Sequence, residues 1–275
     1  MSKFIHGDNI QNKLLGGETD RKKLSLLREI NTKYLAWKKE CLSVVGDEKK
    51  DTDQLVSALN RYKNFIEQER FKKNFNAQTK LHSTVLEEFI YYIFRLNPKI
   101  ENSMRLGSME AYTNLFFAPK NLEALNSDCG VNIYTKDQDF AIAKTATIIA
   151  TPEGQKSEKR HTIQIPVVSV ECKTYVDKTM YEGSVATAER IKQGNPYSRF
   201  IIVAEFYAVS LDVDPSHSKI DQIYVLRRQT NSSRKKTINP IDEGVVWRLY
   251  SDIKKHVCGE WSDMSQKVNS GLMIG

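Results

Sequence analysis

Apolar positions recur at steps of three and four over residues 21–45, where Leu27, Ile30, Tyr34, Trp37, Cys41 and Val45 fall on one stripe. Arg28, Lys38 and Lys39 take the opposite face, so the spacing predicts an amphipathic helix, ended by Gly46-Asp47. Leu55, Leu59, Tyr62 and Ile66 make a second stripe, and either Thr52 or Asp53 could cap that helix. No strand-like alternation occurs in the first 78 residues. A third helix is expected over about 79–96, with Leu81, Val85, Phe89 and Ile93 on one face and Asn97-Pro98 as its stop.

The pattern then changes from a period of 3.6 to a period of two. Residues 139–149 alternate, with Phe140 and Ile142 on one side and Asp139, Ala141 and Ala143 on the other. Polar residues from Pro152 to Lys159 read as a hairpin-like connection to a second alternating run, 162–174. Ile163, Ile165, Val167, Ser169, Glu171 and Lys173 are expected to share one face of it. A helix over 180–193 ends at Gly194-Asn195-Pro196. The nearly continuous apolar run from Phe200 to Tyr207 suits a strand covered on both faces. Ile220 to Leu226 is a further strand, and Val246, Leu249, Ile253 and Val257 predict a last helix over about 242–257.

Composition narrows the class. The 275 residues suffice for one substantial core with an accessory region. The division expected is a helical region, 1–78, serving subunit association or DNA recognition, and a domain of 79–275. Apolar runs are too short to span a bilayer, and the N-terminal residues lack the apolar stretch and cleavage site of a secretory signal. Four widely spaced cysteines suggest reduced thiols, hence a cytoplasmic protein without a zinc site. The net charge of +7 favours polyanionic partners.

The chemistry centres on Glu171-Cys172-Lys173. Acid-x-Lys occurs five times in the chain, and four matches fall in helices or polar loops as ordinary charged surface. The Glu171 match ends an apolar strand, where residues two apart project from the same face. Half-buried charges there need partners. A divalent cation is one such partner, since phosphodiester hydrolysis uses a metal to neutralise charge and acidify water. Mg²⁺ takes one or two carboxylates with water and phosphate. The second carboxylate is expected from Asp139 at the start of the preceding strand, with Asp137 its competitor. A plain salt bridge between Lys173 and an acid is the other reading of the same residues.

The succession Leu81-x-x-x-Val85-Leu86-Glu87-Glu88-Phe89, Lys136-Asp137-Gln138-Asp139-Phe140-Ala141-Ile142 and Val168-Ser169-Val170-Glu171-Cys172-Lys173-Thr174 resembles the core of PD-(D/E)xK restriction endonucleases. It is similar more narrowly to subunits of the heterodimeric BbvCI-type enzymes. Gln138 stands where the motif usually has proline. The resemblance implies an α/β fold, a central mixed sheet flanked by helices with an N-terminal helical region. It further implies Mg²⁺-dependent cleavage of double-stranded DNA at a short, asymmetric site, and a second, homologous subunit that cuts the other strand. In the roles it implies, Asp139 and Glu171 bind Mg²⁺ with help from the Cys172 carbonyl. Lys173 positions or deprotonates the attacking water, or stabilises the transition-state charge. Glu88, or equally Glu87, reaches the metal through water.

Arg190 and Lys192 on the helix after the motif are candidate DNA contacts. So are Arg227, Arg228, Arg234, Lys235 and Lys236 in the later charged run, although such runs are often only solvated surface. The five histidines have no metal-ligand spacing, and neither a phosphate loop nor a serine elbow occurs. Two rival readings share these residues: a repair or junction nuclease that reads DNA shape, and a non-catalytic DNA-binding subunit.

Overall fold

The computed structural model describes residues 2–75, 79–154, 158–261 and 264–271. The chain begins with α1 (Ile5–Asn12), a π-turn and α2 (Arg21–Ser43), whose N-cap Asp20 accepts the Lys22 and Lys23 N–H groups. The stripe from Leu27 to Cys41 is buried as the periodicity predicts. Val45 is not: α2 stops at Ser43, so Val44 turns inward and Val45 is exposed. α3 (Lys49–Ile66) starts a turn earlier than expected, because the Asp51 carboxylate accepts the Glu48 N–H and closes the helix start there. Thr52 and Asp53 are therefore inside the helix. α4 (Glu69–Lys72) and α5 (Thr84–Phe94) follow. All of α5 is buried except Glu87, which is half-buried.

After α6 (Pro98–Ser103) comes a strand that the sequence pattern does not reveal, β1 (Arg105–Phe117). Its Gly, Ser and Asn residues have low strand propensity, and two register shifts interrupt its pairing. Gly107, at φ +130°, lets the chain lie against the Ser2 carbonyl, where Ser2 and Ser108 form a bridge. α7 (Leu122–Ser127) leads to β2 (Val131–Ala150) and β3 (Lys159–Val176). Then come α8 (Lys178–Gly194), β4 (Arg199–Tyr207), β5 (Gln222–Val225), α9 (Glu243–Cys258) and α10 (Met264–Ser270).

The sheet order is β1-β2-β3-β4-β5, antiparallel through β3 and parallel from β3 to β5. This is the mixed α/β sheet with flanking helices expected of the resemblance. One correction concerns β3. Ile142 pairs with Val168 but Ala143 with Pro166, so one extra residue bulges from β3. The bulge flips the alternation, and Ile163 and Ile165 lie on the opposite face from Ser169, Glu171 and Lys173. On one face, Val168, Val170 and Cys172 pack against α5, α9 and the N-terminal helices; on the other, Phe200, Ile202 and Ala204 pack under α8. Ile10, Leu27, Leu55 and Leu59 belong to the same apolar cluster as Phe89, Val170 and Leu249. Each such fully buried side chain contributes about 1.5–3 kcal/mol. The N-terminal helices thus share one core with the sheet. No helix among the described residues is long and apolar enough to cross a membrane.

Candidate active site

The site forms where two strands part. β2 and β3 are paired up to Phe140 and Val170; beyond that point β2 continues with β1 alone and β3 with β4. Asp139 and Glu171 are the next residues on the two strands, so the fork opens between two carboxylates. With β2 gone as a neighbour, the Asp139 carboxylate accepts the Cys172 N–H at 2.9 Å. The Lys173 ammonium stands between the acids, donating to Asp139 Oδ2 at 3.1 Å and to Glu171 Oε2 at 3.0 Å. The three side chains keep 17 to 28 % of their surface exposed, enough to meet a ligand. Asp139 and Lys173 border a cleft of about 860 Å³.

Electrostatics are unbalanced here. Burial, and then the charge of Asp139, push the Glu171 carboxyl up to about 7. The same two causes in the same order push Glu87, on α5, up to about 7. Burial opposes charge on Lys173, but Asp139 and Glu171 outweigh it and hold the ammonium above its ordinary value. Three acids thus share Lys173, with Lys80 adding its charge at Glu87. Among the described residues no three His, Cys, Asp or Glu side chains converge in a geometry that could hold a metal ion by themselves. Mg²⁺ needs only one or two carboxylates, the rest of its shell being water and substrate phosphate. Two hard carboxylates meeting at an open fork, one pushed up by its neighbour, therefore fit a divalent ion.

The other candidates sort by their surroundings. Asp137 is exposed and lines the cleft, but among the described residues no side-chain partner engages it as Lys173 and Cys172 engage Asp139. Glu88 does not face the cleft. It is fully buried, and its carboxylate accepts from the His6 and Gly7 N–H groups, from Tyr34 and from Tyr92. Adjacent helix residues point about 100° apart, so it is Glu87 that lines the cleft. The Cys172 side chain points into the core, and burial pushes its thiol up, leaving only its backbone for the site. Sequence reasoning missed the other wall of the cleft, where Asp8, Asn9, Asn12 and Lys13 of the N-terminal turns stand with Lys80. No motif marks them; only the docking of α1 on α5 brings them there.

The DNA candidates part company as well. Arg190 is exposed on α8 beside a second pocket. Lys192 is held by Asp221 at 2.8 Å. Arg227 must be withdrawn: it is 3 % exposed and saturated by Glu205, Glu67 and the Asn239 carbonyl. Arg228 is exposed, 3.5 Å from Asp242. Arg234 lies over the Phe206 and Tyr175 rings, and Tyr175 borders the cleft. Lys236 is exposed, and the side chain of Lys235 falls outside the described residues.

Comparison with known proteins adds two findings. The model of the Bpu10I restriction endonuclease family matches residues 78–236, a span that holds Glu87, Asp139, Glu171 and Lys173. A chain of the native BbvCI A2B2 tetramer, solved at low resolution, is similar in structure at a TM-score of 0.71 and 20% identity. That similarity covers 91% of this chain and 97% of the other, and at such identity it speaks for the fold. No curated protein sequence matches significantly.

Proposed function

Because this chain belongs to the Bpu10I restriction endonuclease family, and is thereby a Type II restriction endonuclease, we propose that it is a Mg²⁺-dependent subunit that hydrolyses one strand of a short, asymmetric double-stranded DNA site. The observation that carries this reading is the meeting of Asp139, Glu171 and Lys173 at the fork between β2 and β3, beside an open cleft.

Asp139 and Glu171 would hold the ion. When bound, Mg²⁺ supplies neutralisation of phosphate charge and acidification of a water. Lys173 is held in its charged form, which suits an ammonium that orients the attacking water and stabilises charge on the phosphorus oxygens, rather than one that takes a proton. Glu87, with a carboxyl near 7, is matched to accept a proton at neutral pH and takes the outer role for which Glu88 is unsuited. We assign catalysis to residues 79–275 and to the helical residues 1–78 the second wall of the cleft. The similar BbvCI protein is an A2B2 tetramer, which supports a different, second subunit for the other strand.

A supercoiled plasmid tests this. The chain is incubated with Mg²⁺, with EDTA and as Lys173→Ala, alone and with the product of a neighbouring gene. Nicks or cuts at fixed positions, lost in EDTA and in the variant, are expected. Metal-independent cleavage, or Lys173→Ala cutting at the wild-type rate, would sink the assignment.

A further inference from the structure

β1 and β2 run on past the fork as a two-stranded ribbon. Residues 131–138 of β2 pair only with β1, and the ribbon ends in exposed Phe117 and carries exposed Tyr134, stacked on Phe116 at 4.6 Å. The C-terminal turn of α8 lies against this ribbon. Gly194 makes the approach possible: a β-carbon there would sit 2.5 Å from the Thr113 carbonyl oxygen. Between helix and ribbon lies a pocket of about 380 Å³, bordered by Asn114, Tyr134, Thr135, Lys136, Arg190 and Gln193.

No hydrogen bond or ion pair engages Arg190, Gln193 or the Lys136 ammonium among the described residues. Ala186 and Thr187, one turn before Arg190, offer it no acid. Asn114 uses its amide oxygen on the Leu115 N–H, which leaves its NH₂ free. Lys192, one residue from Gln193, is by contrast held by Asp221. Arg is the side chain that reads guanine with two donors, and Asn and Gln read adenine in the same way. A two-stranded ribbon is narrow enough to enter the major groove. Lys136 adds a single charge suited to a phosphate.

Resting on the nuclease reading above, we propose that this pocket is the base-reading site: Arg190 and Gln193 contact base edges in the major groove, and Lys136 contacts the adjoining backbone. Lys136 and Tyr134 are three and five residues from Asp139, so the bases read lie roughly 10–17 Å from the cut phosphate. That is about three to five base pairs.

The test is a binding selection. A library of duplexes randomised over one helical turn is mixed with the full chain in EDTA, and the retained fraction is sequenced. Wild type enriches a motif. Arg190→Lys keeps the charge but loses the two-donor fork, and it lowers the preference at one base pair roughly 5- to 150-fold with the affinity for random duplex retained. Gln193→Ala does the same at a neighbouring pair. Lys136→Ala weakens all sequences alike and reduces the slope of log K against log salt by about 0.9. Unchanged base preferences in both Arg190→Lys and Gln193→Ala, or no motif from wild type, would overturn the proposal. Lys173→Ala should enrich the wild-type motif, because cleavage is never scored. Failure of the nuclease reading in the plasmid assay is therefore separate from failure here.

Discussion

Two clusters of acids and bases lie in this molecule, and only one is at peace with itself. Lys63 in α3, Glu67 beyond it, Glu205 in β4 and Arg227 after β5 form a closed network, with Lys63 2.6 Å from both acids and Arg227 2.8 Å from Glu205. Lys63, Arg227 and Glu205 are almost fully buried, and positive and negative charges are equal in number. At the fork, half-buried Lys173 bonds to both Asp139 and Glu171, and it and Lys80 together do not offset the burial and the Asp139 charge that raise Glu87. A buried pair has repaid its desolvation only if every charge is satisfied. A half-open group with surplus acid is satisfied only when a cation arrives. The difference separates structural from functional charge where the residue types are the same.

Removing one lysine from each cluster breaks the comparison most severely. Lys173→Ala is expected to lower the cleavage rate about 10²- to 10⁴-fold, with a melting temperature within a few degrees of wild type. Lys63→Ala should do the reverse. It leaves Glu67 and Glu205 to share Arg227 alone and costs about 3–5 kcal/mol in denaturant unfolding, while the folded fraction still cuts. If Lys173→Ala proves the more destabilising of the two, the cleft cluster is a structural salt bridge and the distinction fails.

Titration sharpens the contrast next. Lys63 and then Arg227 outweigh burial and lower the Glu67 pKa, so its contribution to stability is present above about 4.5 and is lost as pH falls through its folded value. Glu171 runs the other way. Its carboxyl is pushed up to about 7 from 4.5, so the folded state binds the extra proton. Stability then falls as pH rises from 4.5 through 7. Glu171→Gln, which mimics the protonated form, should exceed wild type by on the order of 1–3 kcal/mol at pH 8, and match it near pH 4.5. Mg²⁺ should raise the melting temperature of wild type at pH 8 and leave the variant unmoved. A flat wild-type profile between pH 4.5 and 8 would remove the claim of stored repulsion.

Much of this was legible in the sequence. The stripes of α2, α3, α5 and α9 are set by apolar side chains at helical spacing, and burial alone fulfils them. Glu171 and Lys173 announce themselves because a charged pair at the end of an apolar strand needs a reason. What the chain hid is what depends on contacts distant in sequence. β1 is broken by Gly107, Ser108 and Asn114, which have low strand propensity, and exists through its pairing with β2. The bulge at Pro166–Val167 reverses the faces of β3 without a local signal. Arg227 stands in a charge run like its neighbours, and only Glu205 and Glu67, brought from elsewhere, make it core. Glu87 and Glu88 are alike in type and adjacent, so nothing short of the helix's rotation about its axis could assign them.

That last pair gives the finest test. Glu87 lines the cleft with a carboxyl near 7, raised by burial and by Asp139. Glu88 joins α5 to α1 by accepting two N–H groups and two tyrosine hydroxyls. Glu87→Gln should lower cleavage about 10- to 100-fold, the usual effect of removing an outer-shell partner of a metal site, without loss of stability. Glu88→Gln keeps the shape but brings an NH₂ among four donors, so at least one of them is left unsatisfied at a cost of about 1–3 kcal/mol. Its cleavage rate per folded molecule should stay near wild type. Measuring rate and melting temperature for both variants places each on one axis or the other. Should Glu88→Gln lose rate while keeping its melting temperature, the buried carboxylate would be acting on the reaction through α1 and the cleft wall, and the boundary drawn between structural and functional charge would have to move inward by one residue.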